Sequence, residues 1–307
     1  MHHNTEGMWV NINGRLMEPA QASVSILDRG FLYGDSLYEV ARTYGGALFL
    51  VDEHLERLEQ SARLCHMVLS QRRQEYAREM ARTVEAVRRQ PGRERSEFYC
   101  RLIVTRGVGS IGFSLKNIST PTQYVIIAEA LDRYMPGDFE KGSHLHVAKR
   151  LRNDRRALDP AMKSGNYLNS LLAYLEAQAE GGYDDALLCG ADGFVTEGTT
   201  FNVFYVRRGI LATSPLESGI LDGLTRRHIL RLSRGLGIET REVHFPKERM
   251  YEADEVFTAS TIKEIFPVTR LDGRTIGGGK PGPVTRKLAK AFSEWARSTA
   301  KAAESAA

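Results

Sequence analysis

The sequence predicts an α/β protein of two mixed-sheet domains. Two observations point there. Helical and strand periodicities are interleaved along all 307 residues without the strict strand–helix–strand rhythm of a doubly wound sheet or a barrel. The stretch Leu131 to Gly142, with Pro136-Gly137-Asp138 inside it, has loop chemistry and no periodicity. It divides the chain into a smaller domain over 1–132, an interdomain loop over 133–142 and a larger domain over 143–307.

A strand at Trp9 to Ile12 leads into the turn pair Asn13-Gly14. Tyr38 to Tyr44 and Ala47 to Val51 then flank Gly45-Gly46 as a hairpin, because paired glycines supply the positive φ that tight hairpin turns need. Asp52 is expected to cap a helix bearing Leu55, Leu58, Ala62 and Leu64 at helical spacing, and a second amphipathic helix covers Gln71 to Gln90 and stops at Pro91-Gly92. Strands follow at Phe98 to Thr105 and Thr122 to Ala128. The second domain opens with a strand at His144 to Ala148 and a helix from Asn166 to Glu180. Two hairpins come next, Ala186 to Cys189 with Phe194 to Thr196, and Phe201 to Val206 with Ile210 to Ala212. Helices at Gly223 to Leu236 and Val284 to Ala302 complete the reading, with no internal repeat.

Lys and Arg number 42 against 38 Asp and Glu, a net charge of +4 that is too weak and too scattered for a nucleic-acid footprint. Three cysteines, Cys65, Cys100 and Cys189, lie far apart and outside any C-x-x-C pattern, which gives neither a disulfide framework nor a metal site and suggests a reducing, cytoplasmic setting. No apolar run reaches membrane-helix length, and Met1-His2-His3-Asn4 lacks a signal peptide's apolar stretch. No membrane partner and no metal are expected.

Some motifs mislead. Gly107-Val108-Gly109-Ser110-Ile111-Gly112 follows a strand and matches the dinucleotide fingerprint, with Asp132 downstream. Phe113 to Thr122 is too short and irregular for the helix whose N-terminus must meet a pyrophosphate. Gly277-Gly278-Gly279-Lys280 lacks the first glycine and the Ser or Thr of a phosphate loop. His144 and His146 share a strand face without a third ligand of suitable spacing.

Lys163 opens the block Lys163-Ser164-Gly165-Asn166-Tyr167-Leu168-Asn169 at a helix start, upstream of Glu197-Gly198-Thr199-Thr200 and of Leu221-Asp222-Gly223-Leu224-Thr225-Arg226. Each block alone has an ordinary structural reading. Together with Asp28 to Asp35, Glu53-His54-Leu55-Glu56-Arg57-Leu58 and Ser260-Thr261 to Pro283, the ordered set resembles the class IV, or fold-type IV, aminotransferases, especially the branched-chain amino acid aminotransferases. The resemblance covers nearly the whole chain. It implies a small α/β domain, a larger mixed-sheet pseudo-barrel domain, a homodimer, and pyridoxal 5′-phosphate as cofactor.

By that resemblance Lys163 looks like the Schiff-base lysine, which would also move the proton between substrate Cα and the cofactor's C4′. Glu197 resembles the partner of the pyridine nitrogen, Tyr167 the donor to the phenolic oxygen, and Leu221 the residue packed on the ring. The phosphate is expected at the helix start, on the N–H groups of Leu224 and Thr225, with hydroxyls from Thr225, Ser260 and Thr261 and a charge from Arg57. Tyr33, Tyr38, Arg42, Tyr99, Arg101, Tyr134, Thr261 and Ile262 resemble substrate-lining residues.

The resemblance implies transfer of an amino group from a small-molecule donor, an L-branched-chain amino acid as first choice, to a 2-oxo acid acceptor, 2-oxoglutarate. Ile111-Gly112-Phe113 stands where D-amino acid aminotransferases of this family carry an Arg-x-His carboxylate trap. Val40 and Ser260-Thr261-Ile262 depart from the branched-chain pattern, which leaves open a D-amino acid aminotransferase, an (R)-amine transaminase, or an aminodeoxychorismate lyase sharing the same cofactor site. A dinucleotide-binding or interaction protein is the alternative of a different class.

Overall fold

A computed structural model describes residues 5, 7–135 and 137–306, the side chains of 302–306 excepted. The Met1-His2-His3-Asn4 segment and Pro136 lie outside the described residues. The chain divides into two compact units. The first comprises the residues up to 134 with 162–166 and the end of the chain from 296, and the second holds 135–161 and 167–295. Residues 162–166, Lys163 among them, thus return to the first unit.

In the first unit β1 (Trp9–Ile12), β2 (Arg15–Met17), a short helix α1 (Arg29–Tyr33), β3 (Ser36–Tyr44) and β4 (Ala47–Leu48) precede α2 (Val51–Leu64) and α3 (Arg73–Arg88), and β5 (Phe98–Thr105) and β6 (Gln123–Ala130) follow. The strands form one antiparallel sheet in the order β2-β1-β6-β5-β3-β4. Alternate strand residues Leu37, Ala41, Cys100, Leu102, Val104, Ile126 and Ala128 share a core with Leu55, Leu58 and Ala62 of α2 and Tyr76, Met80 and Val84 of α3. The helices therefore cover one face of the sheet and leave the even positions of β3 for the other.

Asp52 does not cap α2. Leu50 does so, in a left-handed conformation with φ 53°, and Asp52 and Glu53 lie in the first turn, where carboxylates favour the helix dipole. The second strand of the Gly45-Gly46 hairpin, β4, is correspondingly cut to two residues.

The second unit contains β7 (Ser143–Leu151), α4 (Leu168–Gly181), β8 (Asp185–Cys189), β9 (Val195–Gly198), β10 (Asn202–Arg207), β11 (Ile210–Thr213), α5 (Leu224–Gly235), β12 (Thr240–Glu242), α6 (Glu248–Tyr251), β13 (Glu255–Ser260), β14 (Glu264–Leu271) and β15 (Arg274–Thr275). A last helix, α7 (Pro283–Ala306), closes the chain. The nine-stranded sheet of this unit runs β12-β11-β10-β13-β14-β7-β8-β9, with β15 beside β14. The β7–β8, β7–β14 and β11–β12 pairs are parallel and the rest antiparallel.

Connectivity requires this sheet to curl. In a flat sheet the order would set β9 and β10 five strand spacings apart, roughly 24 Å. Only residues 199–201 join them, a link that spans about 14 Å at most, and the Gly198 N–H donates to the Phe201 carbonyl at 2.8 Å. Val195, Phe201, Val203, Tyr205, Val256 and Val268 fill one core of this unit. Ala173 and Ala177 of α4 pack with Ala148, Ala186 and Leu188 in another.

The misleading motifs settle into structural roles. The Gly107–Gly112 stretch enters no helix; Val108 bridges to Asp28 and Gly109 to Ile118. His146 Nδ1 lies in hydrogen-bond contact with Asp272 Oδ1 at 2.7 Å, and its ring stacks on Tyr183. No helix among the described residues is long and apolar enough to cross a membrane.

Candidate functional site

The sheet face of the first unit that α2 and α3 leave uncovered gathers most of the expected lining residues. Register sets Val40 opposite Arg101 and Arg42 opposite Tyr99, and continues Arg101 to Ile127 and Tyr99 to Glu129. Lys163 reaches this face through its backbone. Ser164 bridges to Leu37, the Gly165 N–H donates to the Ser36 carbonyl at 2.8 Å, and the Tyr38 N–H donates to the Lys163 carbonyl at 3.0 Å. The Lys163 N–H donates to Ser61 Oγ of α2 at 3.1 Å. A Cβ at Gly165 would overlap the Ser36 hydroxyl, which would have to turn away.

Lys163 Nζ donates to the hydroxyl of buried Tyr38 at 3.0 Å, and the Arg101 guanidinium lies 4.2 Å from the centre of the same ring. Tyr99 stacks on Tyr134 at 4.3 Å, and the Tyr134 hydroxyl donates to Glu129 at 2.6 Å. Burial and the Glu129 carboxylate push the Tyr134 phenol well above its ordinary range, so it stays a proton donor. Arg42 turns its guanidinium over Tyr44 at 4.4 Å. Tyr33 lies on α1, where its hydroxyl accepts the Gly112 N–H at 2.9 Å and its ring meets Phe113.

Arg57 is buried on the helix-covered side of the sheet, where its Nε and Nη2 donate to the two oxygens of Glu39 at 2.8 and 2.7 Å. His54, one turn earlier on α2, meets Glu39 through Nδ1 at 2.8 Å. Burial acts to raise the Glu39 pKa, but Arg57 and His54 outweigh it and hold the carboxyl down to about 2. Burial also pushes the His54 imidazole below its ordinary value. Both folded pKa values lie below the unfolded ones, so both groups contribute stability that is complete above pH about 6.5 and declines on acidification. His54 begins the decline, and Glu39 extends it from about pH 4.5 toward 2. Denaturant midpoints measured from pH 7 to 3 should fall steadily in the wild type and less steeply in Glu39→Gln. That variant should itself be less stable by about 3 kcal/mol at pH 7, since it leaves Arg57 buried beside a neutral group.

In the second unit Glu197 on β9 is buried and fully engaged. Arg152 donates to Oε1 through Nε at 3.1 Å and Nη2 at 2.7 Å. The Leu221 N–H donates to Oε2 at 3.1 Å and Asn202 Nδ2 to the same oxygen at 3.3 Å. Leu221 and Glu197 are thus brought together as the sequence implies. The turn continues into α5, whose N-cap Gly223 provides no side-chain hydrogen bond and whose first residues Leu224 and Thr225 are buried. Such a helix start favours an anion through its N–H groups and dipole. Ser260 ends β13, and Thr261, Ile262 and Lys263 form the turn to β14, where Ser260 Oγ accepts the Lys263 N–H at 3.2 Å. Tyr167 stands at the N-cap of α4 and is half-buried.

Sequence reasoning missed Glu39, His54, Arg152 and Asn202. Glu39 did leave a signal: a carboxylate between Leu37 and Ala41 on a core-facing strand row demands a buried cation. His54 sits three residues before Arg57 on one helix face. Arg152 follows the last residue of β7 and carries no pattern.

Residues 36–271 match the family described as amino-transferase class IV. The chain is 36% identical to a D-alanine aminotransferase of Bacillus licheniformis over 93% of its length and 96% of that protein's. It is 32% identical to the branched-chain-amino-acid aminotransferase of Escherichia coli (strain K12), over 92% and 91%. Among solved structures, the branched-chain amino acid aminotransferase from Thermobaculum terrenum in its PLP-form (holo-form) aligns with a TM-score of 0.83 and 30% identity, covering 94% of each chain.

Proposed function

We propose, since this chain belongs to the class IV aminotransferases, that it is a pyridoxal 5′-phosphate-dependent transaminase moving an amino group from an L-branched-chain amino acid to 2-oxoglutarate. The observation that carries the cofactor reading is the pairing of Lys163 Nζ with a phenol, Tyr38 OH at 3.0 Å. This contact holds the amine in a defined orientation on the sheet face.

The other donors fit the same group. Glu197, held by Arg152, offers a buried carboxylate to a pyridine N–H. The start of α5 and the Thr225 hydroxyl suit a phosphate, while Arg57 holds the buried Glu39 carboxylate. When bound, the cofactor supplies an aldehyde to receive the amino group and a ring that takes up the electron pair left at Cα. Lys163 would hold the cofactor through Nζ and, once displaced by the substrate amine, would move the Cα proton, with Tyr38 OH orienting the lysine amine. Glu197 keeps the ring nitrogen protonated.

The face carrying Tyr38, Arg42, Tyr99 and Arg101 supports a pocket that takes an apolar chain in one half-reaction and the second carboxylate of 2-oxoglutarate in the other. Ile111 and Phe113, both exposed, bring no charge to the place of the D-specific trap. The likeness to a D-alanine aminotransferase favours a second reading, in which the donor is D-alanine and the arginines bind the α-carboxylate from the opposite side. Half-reactions separate the two. The cofactor-loaded protein is mixed in turn with L-leucine, D-alanine and (R)-1-phenylethylamine, and the cofactor's absorbance should change fastest with L-leucine. Faster conversion by D-alanine overturns the L-specific reading and leaves the transaminase assignment standing.

A further inference from the structure

One buried amide ties the Glu197 carboxylate to the turn that opens α5. Asn202 is the first residue of β10 and is 4% exposed. Its Nδ2 donates both to Glu197 Oε2 at 3.3 Å and to the Leu221 carbonyl at 3.1 Å. Its Oδ1 packs against Gly223, the N-cap of α5, where a Cβ would overlap it. Gly223 has φ −67° and ψ 131°, a conformation open to any residue, so space for the Asn202 amide and not backbone freedom requires glycine there.

The four donors on Glu197 are unequal. Two come from Arg152 and one from the Leu221 backbone, at 2.7 to 3.1 Å, and the Asn202 contact is the longest at 3.3 Å. A carboxylate has roughly four lone-pair sites, so an incoming pyridine N–H competes with the donors already on Glu197. Asn202 is the one that can yield without being orphaned, because its Nδ2 keeps the Leu221 carbonyl.

We propose, resting on the cofactor reading above, that Asn202 is a positioning residue with two tasks. It holds Oε2 of Glu197 in place until the ring nitrogen takes that position, and it fixes the spacing between this carboxylate and the start of α5. The residue acts through Glu197 and Gly223 and does no chemistry itself. Truncation should spare the fold, since Glu197 Oε2 retains the Leu221 N–H at 3.1 Å and the Leu221 carbonyl retains the Gly223 N–H at 2.9 Å.

The test compares wild type, Asn202→Ala, Gly223→Ala and the double variant, each as the full chain. Three quantities are measured: thermal midpoint without cofactor, rate of pyridoxal 5′-phosphate release, and the ¹⁵N shift of the labelled ring nitrogen against pH. Asn202→Ala should keep a midpoint close to wild type, release cofactor about 10-fold faster, and lose the ring proton about one pH unit lower, since a misplaced Glu197 holds it less well. Gly223→Ala should release faster as well, and should add little in the Asn202→Ala background, where the overlap is gone. Wild-type release and an unshifted ¹⁵N titration in Asn202→Ala overturn the proposal alone. So does additivity of the two substitutions, or a loss of cofactor that only tracks a lowered midpoint. A wild type that takes up no cofactor overturns the underlying reading, and this inference with it.

Discussion

Lys163→Ala is expected to remain folded and to lose turnover by about three orders of magnitude or more. The fold should survive because the segment is held by main-chain bonds that the substitution leaves alone. These are Gly165 N–H to Ser36 carbonyl, Tyr38 N–H to Lys163 carbonyl, and Lys163 N–H to Ser61 Oγ. The Nζ contact with Tyr38 disappears. On the proposed assignment one amine is both covalent anchor and proton carrier, so its removal should forfeit both contributions. Steady-state rates with unchanged circular dichroism check this. Turnover within 10-fold of wild type would show that another group moves the proton.

Glu197→Gln should cost turnover about 100-fold and also lower the thermal midpoint. Four donors converge on the carboxylate, two from Arg152 on Oε1 and two, from Leu221 and Asn202, on Oε2. An amide offers one oxygen, so whichever way it turns, two donors face an NH₂ group. Each buried polar group left without a partner costs about 1 to 3 kcal/mol. Arg152, whose side chain is 15% exposed, also loses its counter-charge. The chemical loss is separate, since a neutral amide holds a proton on the ring nitrogen less well than a carboxylate. Single-turnover rates with Cα-deuterated substrate distinguish the two: the isotope effect should grow in Glu197→Gln. An unchanged proton-transfer rate would dismiss the electronic role of Glu197 and leave it a structural one.

Much of the first domain was legible from periodicity alone. β5 coincides with its expected span, Phe98 to Thr105, because alternation and turn residues bracket it. β13 and β14 were not read, although they form a central hairpin. β13 is buried along nearly its whole length and so shows no alternation, and β14 contains Pro267, a residue that argues against a central strand. The five residues of α1 are too few to show a period. Among the candidate site residues, Lys163, Glu197 and Arg57 were proposed from ordered blocks. Their partners were invisible for a different reason. Glu39 and Arg57 lie 18 positions apart, and Arg152 and Glu197 lie 45 apart; packing of α2 on β3 in the first case and strand order in the second, which local patterning does not specify, bring them together.

Reduction of the cofactor-loaded protein with borohydride, followed by peptide mass spectrometry, locates the amine that carries pyridoxal 5′-phosphate. The expected result is a single phosphopyridoxyl mass increment on Lys163, absent when Lys163→Ala is treated in the same way. A label on a different lysine, or an unlabelled wild type after incubation with saturating pyridoxal 5′-phosphate, would contradict the assignment of Lys163 and the chemistry built upon it.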